Sequence, residues 1–331
     1  MAWGHSRVSR MVLVTAFLPT PALQAAAPTA AESTMSGCGS HVASRVASPA
    51  ASGNAESRRE PHEPSPGQIA RMNADFTRRR QLAHRTGLQT GLQVGLQTRP
   101  RKRSGITVPV VVHVITSGEL GPPDAAVHRQ IEALNRAYGG DYGGADTGVH
   151  FALRGITHTA NAQWFRNPLT YELPMKQALR RGGPETLNLY LAQLSELVLG
   201  YSTYPYWYQD NAQLDGVVID WRSLPGGPLR NFNRGFTSVH EIGHWLGLVH
   251  TFENGCTAPG DSVADTPFEA YPTEGCPETR KNTCPLPGDD PVHNFMDYSY
   301  DRCMRQFTAG QGARMRAMWD MYRRPGHTEV T

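Results

Sequence analysis

Three histidines and a glutamate in residues 237–250 (TSVHEIGHWLGLVH) have the types and spacing that metal chemistry needs. His240 and His244 are four apart, so on a helix they project from one face about a turn from each other. Two neutral imidazoles held this way can grip a zinc ion, and Glu241 sits one residue along, beside any water the ion carries. A straight helix cannot bring His250 round to the same ion. Gly247 can adopt the positive φ that ends a helix and turns the chain, which would return His250 as a third ligand. Three histidines leave a fourth position open, and that opening separates a catalytic zinc from a structural one. H-E-x-x-H alone also occurs among ordinary helix histidines. With the glycine and third histidine added, accident would produce the pattern in about one chain in 10⁵ of this length.

The elements that must position these residues are legible upstream. Residues 106–115 (ITVPVVVHVI) are β-branched and read as a strand. Asp124 to Tyr138 has an acidic start and apolar residues at Val127, Ile131 and Leu134, so it reads as a helix ended by Gly139 and Gly140. Residues 149–156, 187–191 and 216–221 are further strand candidates. This order describes an α/β layer with the histidine helix beneath it. The aromatic run 201–208 (YSTYPYWY) reads as a loop packing over a core or lining a groove. After His250, Gly, Pro, Asp and Cys replace regular patterning until about Gln306, and a loop region of that length is functional or stapled. Within it Asp261, Asp265 and Thr266 gather hard oxygen ligands of the kind calcium takes, or form a solvated acidic turn. The last pattern, 308–322, has Met315, Met318 and Met321 at helical spacing and reads as core.

The chain has 331 residues and a formal net charge of +3, which hides a division. Residues 1–104 hold 14 Lys and Arg against 5 Asp and Glu, whereas residues 105–331 hold 18 against 24. A basic head on an acidic body suggests an intramolecular partnership, or a head that is removed. Residues 1–27 look like a signal peptide: Arg7 and Arg10, then an apolar core too short to span a bilayer, then small residues at Ala25 to Ala27. Export of the protein, with no stable membrane anchor, is therefore expected. Residues 28–104 read as a low-complexity basic prosegment that cannot bury enough surface to pack, with GLQ repeated at Gly87, Gly91 and Gly95 as linker. It runs into Arg99-Pro100-Arg101-Lys102-Arg103, a cluster open to a trypsin-like protease. Without interleaved aromatics that cluster does not read as a nucleic-acid site. Cys256, Cys276, Cys284 and Cys303 lack C-x-x-C spacing, so two disulfides are favoured over a second zinc, in any of three connectivities. Cys38 is left over.

With these motifs assembled, the chain resembles the metzincin metallopeptidases, and within them the pappalysin family. HEIGHWLGLVHTF, GDSVADTP, GCP and DPVHNFMDYSYDRCMRQFTAGQ stand in family order, and the likeness spans about residues 106–322. It implies an α/β (α+β) catalytic domain over 105–331, a mixed twisted sheet on an active-site helix, divided near residue 250 from a loop-rich, disulfide-stapled lower part. It further implies Met296 as an apolar floor beneath the histidines and Tyr298 as a tyrosine that stabilises the transition state. Pairing of Cys256 with Cys284 and of Cys276 with Cys303 follows from the resemblance, as do calcium at Asp261–Thr266 and Asp301 at the base of a primed-side pocket favouring Arg or Lys. Relatives carry a prosegment, in some of which a cysteine blocks the zinc, and Cys38 is the residue available for that role. The expected protein is a secreted, monomeric zinc endopeptidase acting on proteins or peptides. Its rivals are a secreted binding protein on an inactive scaffold, and an amidase of small substrates.

Overall fold

The fold is taken from a computed structural model, which describes residues 60–93, 105–195 and 198–325. The leader at 1–27, Cys38, the third GLQ triplet and the 99–103 basic cluster lie outside the described residues. Strand β1 (Ile106–Thr116) is an inner strand of the sheet, paired on both sides. Alternate residues of a strand share a face, and Val108, Val110, Val112 and Val114 are accordingly buried together in the main core. Pro109 lies within this run, in register with Ala152 of β2 and one residue before the ladder to β3 begins at Val110. Strands β2 (Val149–Ala160), β3 (Leu187–Ala192), β4 (Gly200–Ser202) and β5 (Val217–Asp220) complete the order β2-β1-β3-β5-β4. All neighbours are parallel except β4, which runs antiparallel to β5 at the edge.

Helices cover both faces, as a mostly parallel sheet requires. On one face lie α2 (Asp124–Tyr138) and α5 (Phe236–Trp245), sharing a core with the β1 valines. The short α3 (Ala162–Arg166) and α4 (Glu172–Leu179) put Phe165, Met175 and Leu179 against Tyr190, Tyr201 and Val218 on the other. Helix α5 is buried along its whole length, and the Tyr138 hydroxyl of α2 donates to the Val239 carbonyl at 2.9 Å, fixing one helix on the other. The chain from Thr251 to Phe307 has no described helix or strand. Disulfides Cys256–Cys284 and Cys276–Cys303 staple it, in the pairing the resemblance implied. Helix α6 (Ala309–Met318) follows, opened by a capping box in which Thr308 and Gln311 satisfy each other's backbone N–H groups.

One expectation is overturned. Residues 66–93 form helix α1 (Pro66–Gln93), which runs through the first two GLQ triplets where unpacked linker was expected. Composition averaged over the segment hides the spacing of Ile69, Met72 and Phe76, which recur at helical intervals and are all buried. Ile69 and Met72 pack with Tyr204 and Val249, and Phe76 with Met318 and Tyr322. Docking on the body supplies the stability that the sequence of the helix lacks by itself. The aromatic run also differs in part, since Tyr201 and Ser202 belong to β4.

Candidate active site

Helix α5 brings the Nε2 atoms of His240 and His244 within 3.1 Å of each other. It stops at Trp245, and Gly247 takes φ +94°. Leu248 N–H then donates to the Gly243 carbonyl and Gly247 N–H to that of His244, the paired bonds of a Schellman C-cap. The turn delivers His250, whose Nε2 lies 3.1 Å from that of His244 and 3.2 Å from that of His240. Three acceptor nitrogens this close are unfavourable alone. Ligands about 2.0–2.1 Å from one tetrahedral zinc stand roughly 3.3 Å apart, so the donor set fits that ion.

The far side of each ring is held as well. His240 Nδ1 donates to the Phe295 carbonyl at 2.6 Å and His244 Nδ1 to the Leu248 carbonyl at 2.9 Å. These bonds leave Nε2 as the free lone pair in both rings, which is the tautomer a metal ligand needs. The Tyr204 hydroxyl also reaches His244 Nδ1, at 2.8 Å. Beneath α5, Met296 is fully buried, and a Cβ on Gly243 would lie 2.4 Å from its sulfur. Gly243 is thus the place where the Met296 floor meets the helix. Glu241 is buried beside β4; a Cβ on Gly200 would stand 3.0 Å from its Oε1, so glycine there makes room for the carboxylate. The Tyr298 ring lies 4.9 Å from that of His250 and 5.8 Å from that of His240.

A fourth group meets the histidines that the sequence reading did not anticipate. The Glu60 carboxylate lies 3.5, 3.6 and 3.5 Å from Nε2 of His240, His244 and His250, and these four residues form the one candidate metal cluster among the described residues. Burial first, and then the Glu60 charge, raise the Tyr298 pKa well above its ordinary value. Burial opposes charge on Glu60, yet the facing imidazoles hold its pKa well below the ordinary carboxylate value. Burial likewise pulls His250 down, but Glu60 and Glu63 outweigh it and lift its pKa to about 10. The pocket demands positive charge where the three nitrogens meet. Glu63 lies 3.4 Å from His250 Nδ1.

These carboxylates belong to a tight turn, Glu60-Pro61-His62-Glu63, closed by a 3.1 Å bond from Glu63 N–H to the Glu60 carbonyl. Proline second and a positive φ third (His62, +65°) are the type II signature. Helix α1 follows at once, with Ser65 and Gln68 in a capping box and Pro66 at its first position. S-P-G-Q ahead of Ile69 and Met72 was the available sequence signal for this helix. Nothing local announced that Glu60 would face the histidines.

Other expected residues are spread more widely. Asp301 is buried and accepts from Arg234 N–H at 2.8 Å, against the loop at Asn231. Burial pushes the Asp261 carboxyl up to about 7, against a 2.9 Å bond from Val263 N–H that favours its charge. Asp265 turns toward α6, where it accepts from the Thr308 hydroxyl at 2.7 Å and Gly310 N–H at 2.8 Å.

Comparison with known proteins gives this geometry a lineage. Residues 198–320 match the M43 peptidase family model described as pregnancy-associated plasma protein-A. An extracellular metalloprotease of Pyricularia oryzae is 42% identical over 229 residues, covering 67% of this chain and 78% of that protein. Mature mirolysin of Tannerella forsythia, solved with a cleaved peptide, superposes with a TM-score of 0.57 and 29% identity over 66% of this chain and 96% of its own. A promirolysin mutant from that organism has the same TM-score and 27% identity over 76% of this chain and 92% of its own. Two imidazoles of a helix and a third returned by the turn that ends it, beneath a mixed sheet and over the span that these proteins share, have one consistent reading: the chain belongs to the pappalysin family of zinc metallopeptidases.

Proposed function

We propose that this protein is an extracellular zinc endopeptidase made as a latent precursor. The observation that carries the reading is the meeting of three imidazole Nε2 atoms at 3.1–3.2 Å, with Glu241 one residue from the first. His240, His244 and His250 would hold the metal, which when bound polarises the scissile carbonyl and acidifies water. Glu241 takes the proton of the attacking water and passes it to the leaving amine nitrogen. Tyr298, whose ring lies 4.9 Å from that of His250, donates to the oxygen that gains charge as the carbonyl is attacked, a contact stronger in the transition state than before it. Asp301 favours Arg or Lys after the cleaved bond. Asp261, Asp265 and Thr266 remain the candidate calcium ligands, with Asp265 also bonded to the start of α6. The chain acts as a monomer on protein or peptide substrates. Release to the exterior is supported by the leader at 1–27 and by the names of the relatives, and no described helix is long and apolar enough to cross a membrane.

Latency is assigned to Glu60 rather than Cys38. A carboxylate among three imidazoles fills the position a substrate carbonyl must enter, and the doubled-back turn offers no extended peptide bond there. The larger share of this chain aligned with promirolysin than with mature mirolysin supports a prosegment in the first hundred residues.

The test is to digest a peptide library with the secreted protein, its Glu241→Gln and Glu60→Ala variants, and each with a zinc chelator. Glu241→Gln is expected to keep one zinc per chain and lose about 10²–10⁴-fold in turnover. Glu60→Ala is expected to cut without prior processing. Chelator-insensitive cutting, or full turnover by Glu241→Gln, would sink the mechanism.

A further inference from the structure

We propose that Glu172 is the floor of a substrate subsite that receives a basic side chain within three residues of the cleaved bond. The proposal rests on the peptidase reading above. The tip of the Glu60–Glu63 turn is His62, in a left-handed conformation that residues with a side chain rarely adopt. Its ring holds a specific seat. His62 Nε2 lies 2.7 Å from Glu172 Oε2, and the ring stands edge-on to Tyr201 with centroids 5.4 Å apart.

Glu172 does not depend on His62 for its orientation. It opens α4, and one turn on the fully buried Lys176 approaches its other oxygen at 2.7 Å while donating to the Leu214 carbonyl at 2.7 Å. The carboxylate is therefore pre-set, with one oxygen turned to the prosegment. Beside His62 remains a cavity of about 150 Å3, lined also by Glu172, Thr203, Trp207, Tyr208 and Leu214. The seat is thus longer than the histidine that fills it.

Its place ties it to the reacting bond. Glu60 meets the zinc ligands and His62 is two residues on, so their Cα atoms are at most about 7 Å apart. Thr203, on the cavity wall, directly precedes Tyr204, whose hydroxyl touches His244. A peptide laid across the three imidazoles brings a side chain over this cavity. Once the prosegment leaves, the volume of the His62 ring joins the cavity and Glu172 Oε2 loses its donor, which a buried carboxylate tolerates poorly. Lys, Arg or His restores it, and the rings of Trp207 and Tyr208 offer surfaces for a guanidinium. Asp301 belongs to other elements, against the Asn231–Arg234 loop, so this would be a second basic preference.

Two measurements decide it. In the first, the processed protein and its Glu172→Gln variant digest a peptide library, and the ratio of kcat/KM for basic against alanine-bearing peptides is taken at each position around the cut. The expected result is a basic preference at one position besides the residue after the cut, reduced about tenfold by Glu172→Gln; the ratio cancels any general loss of activity. Cutting that shows no such preference, or one indifferent to Glu172, overturns the subsite and leaves the peptidase standing. The second uses the full chain without need of catalysis: His62→Ala and His62→Arg, alone and with Glu172→Gln, compared by hydrogen exchange over residues 60–76. Arginine is expected to preserve protection, alanine to exchange about tenfold faster, and Glu172→Gln to abolish the difference. Equal exchange in the two single variants overturns the seat for basic side chains. If the wild type cuts nothing yet the exchange differences hold, the peptidase reading fails and the basic pocket remains.

Discussion

At Gly247 the backbone sits at φ +94°, and a Cβ there would lie 2.6 Å from Met318 Cγ on α6. Both facts forbid a side chain, and the turn they protect is what returns His250 to the other imidazoles. Gly247→Ala should cost about 1–3 kcal/mol in denaturant unfolding, from the unfavourable φ and the overlap together. It should also weaken zinc retention in competition with a chelator, because His250 is displaced. An alanine variant of normal stability and zinc affinity would show that the turn is not what sets the third imidazole. Residues 240–250 were legible because a metal demands fixed ligand types and their spacing along the chain is local. Glu60 stands 180 residues from His240, and no local pattern could pair them. The same holds for His62 and Glu172, which meet only after the sheet, α4 and the Glu60–Glu63 turn are in place.

Between His250 and α6 the chain is organised by polar groups in place of helices or strands. Glu269 is fully buried and accepts from the Thr251 hydroxyl at 2.8 Å, the Thr273 hydroxyl at 3.0 Å and Lys281 Nζ at 2.6 Å. Asp297 accepts from Thr273 N–H and from Tyr298 N–H, so the network joins the segment after the third histidine to the turn carrying Met296 and Tyr298. Burial first, and then the Asp297 charge, push Glu269 up to about 7 despite Lys281. A carboxyl whose folded pKa exceeds its unfolded value of about 4.5 binds more protons when folded. Its stabilisation is complete below that value and is lost as pH rises through about 7. Thermal stability should fall between about pH 5 and 8, and Glu269→Gln should flatten that slope; an identical slope in the variant would remove Glu269 from the account. This region also shows why elements differ in legibility. Strand β1 and helix α2 repeat one choice, buried or exposed, at a fixed period over eleven and fifteen residues. Strand β4 has three residues and no room for a period, and a loop built on a buried carboxylate has none at all.

Over the whole molecule, the segment proposed as a prosegment is held by more than its covalent link. Glu60 meets the three imidazoles, and His62 pairs with Glu172. Ile69, Met72 and Phe76 are buried. The Tyr322 hydroxyl donates to Asp75 at 2.7 Å, and Arg314 donates both to Asn73 at 2.7 Å and to the Gly247 carbonyl at 2.9 Å. Arg314 therefore couples α1 directly to the turn that delivers His250. The basic cluster Arg99–Arg103 comes after α1 in the chain, so a protease cutting there severs the tether and leaves every one of these contacts intact. While the link is covalent, the turn faces its site at an effective concentration of the millimolar order; once cut, it is held by its own affinity alone. Cutting at 99–103 is thus expected to give an inactive complex of two fragments that co-elute in size-exclusion chromatography at micromolar concentration. Activity should then appear on dilution, or after a second cut within α1, and Glu60→Ala should remove most of the lag. If turnover instead rises in step with the first cut at every protein concentration, the docked surface adds nothing to latency. The tether would then be the whole of the restraint, and the contacts of α1 would serve folding of the precursor rather than its silence.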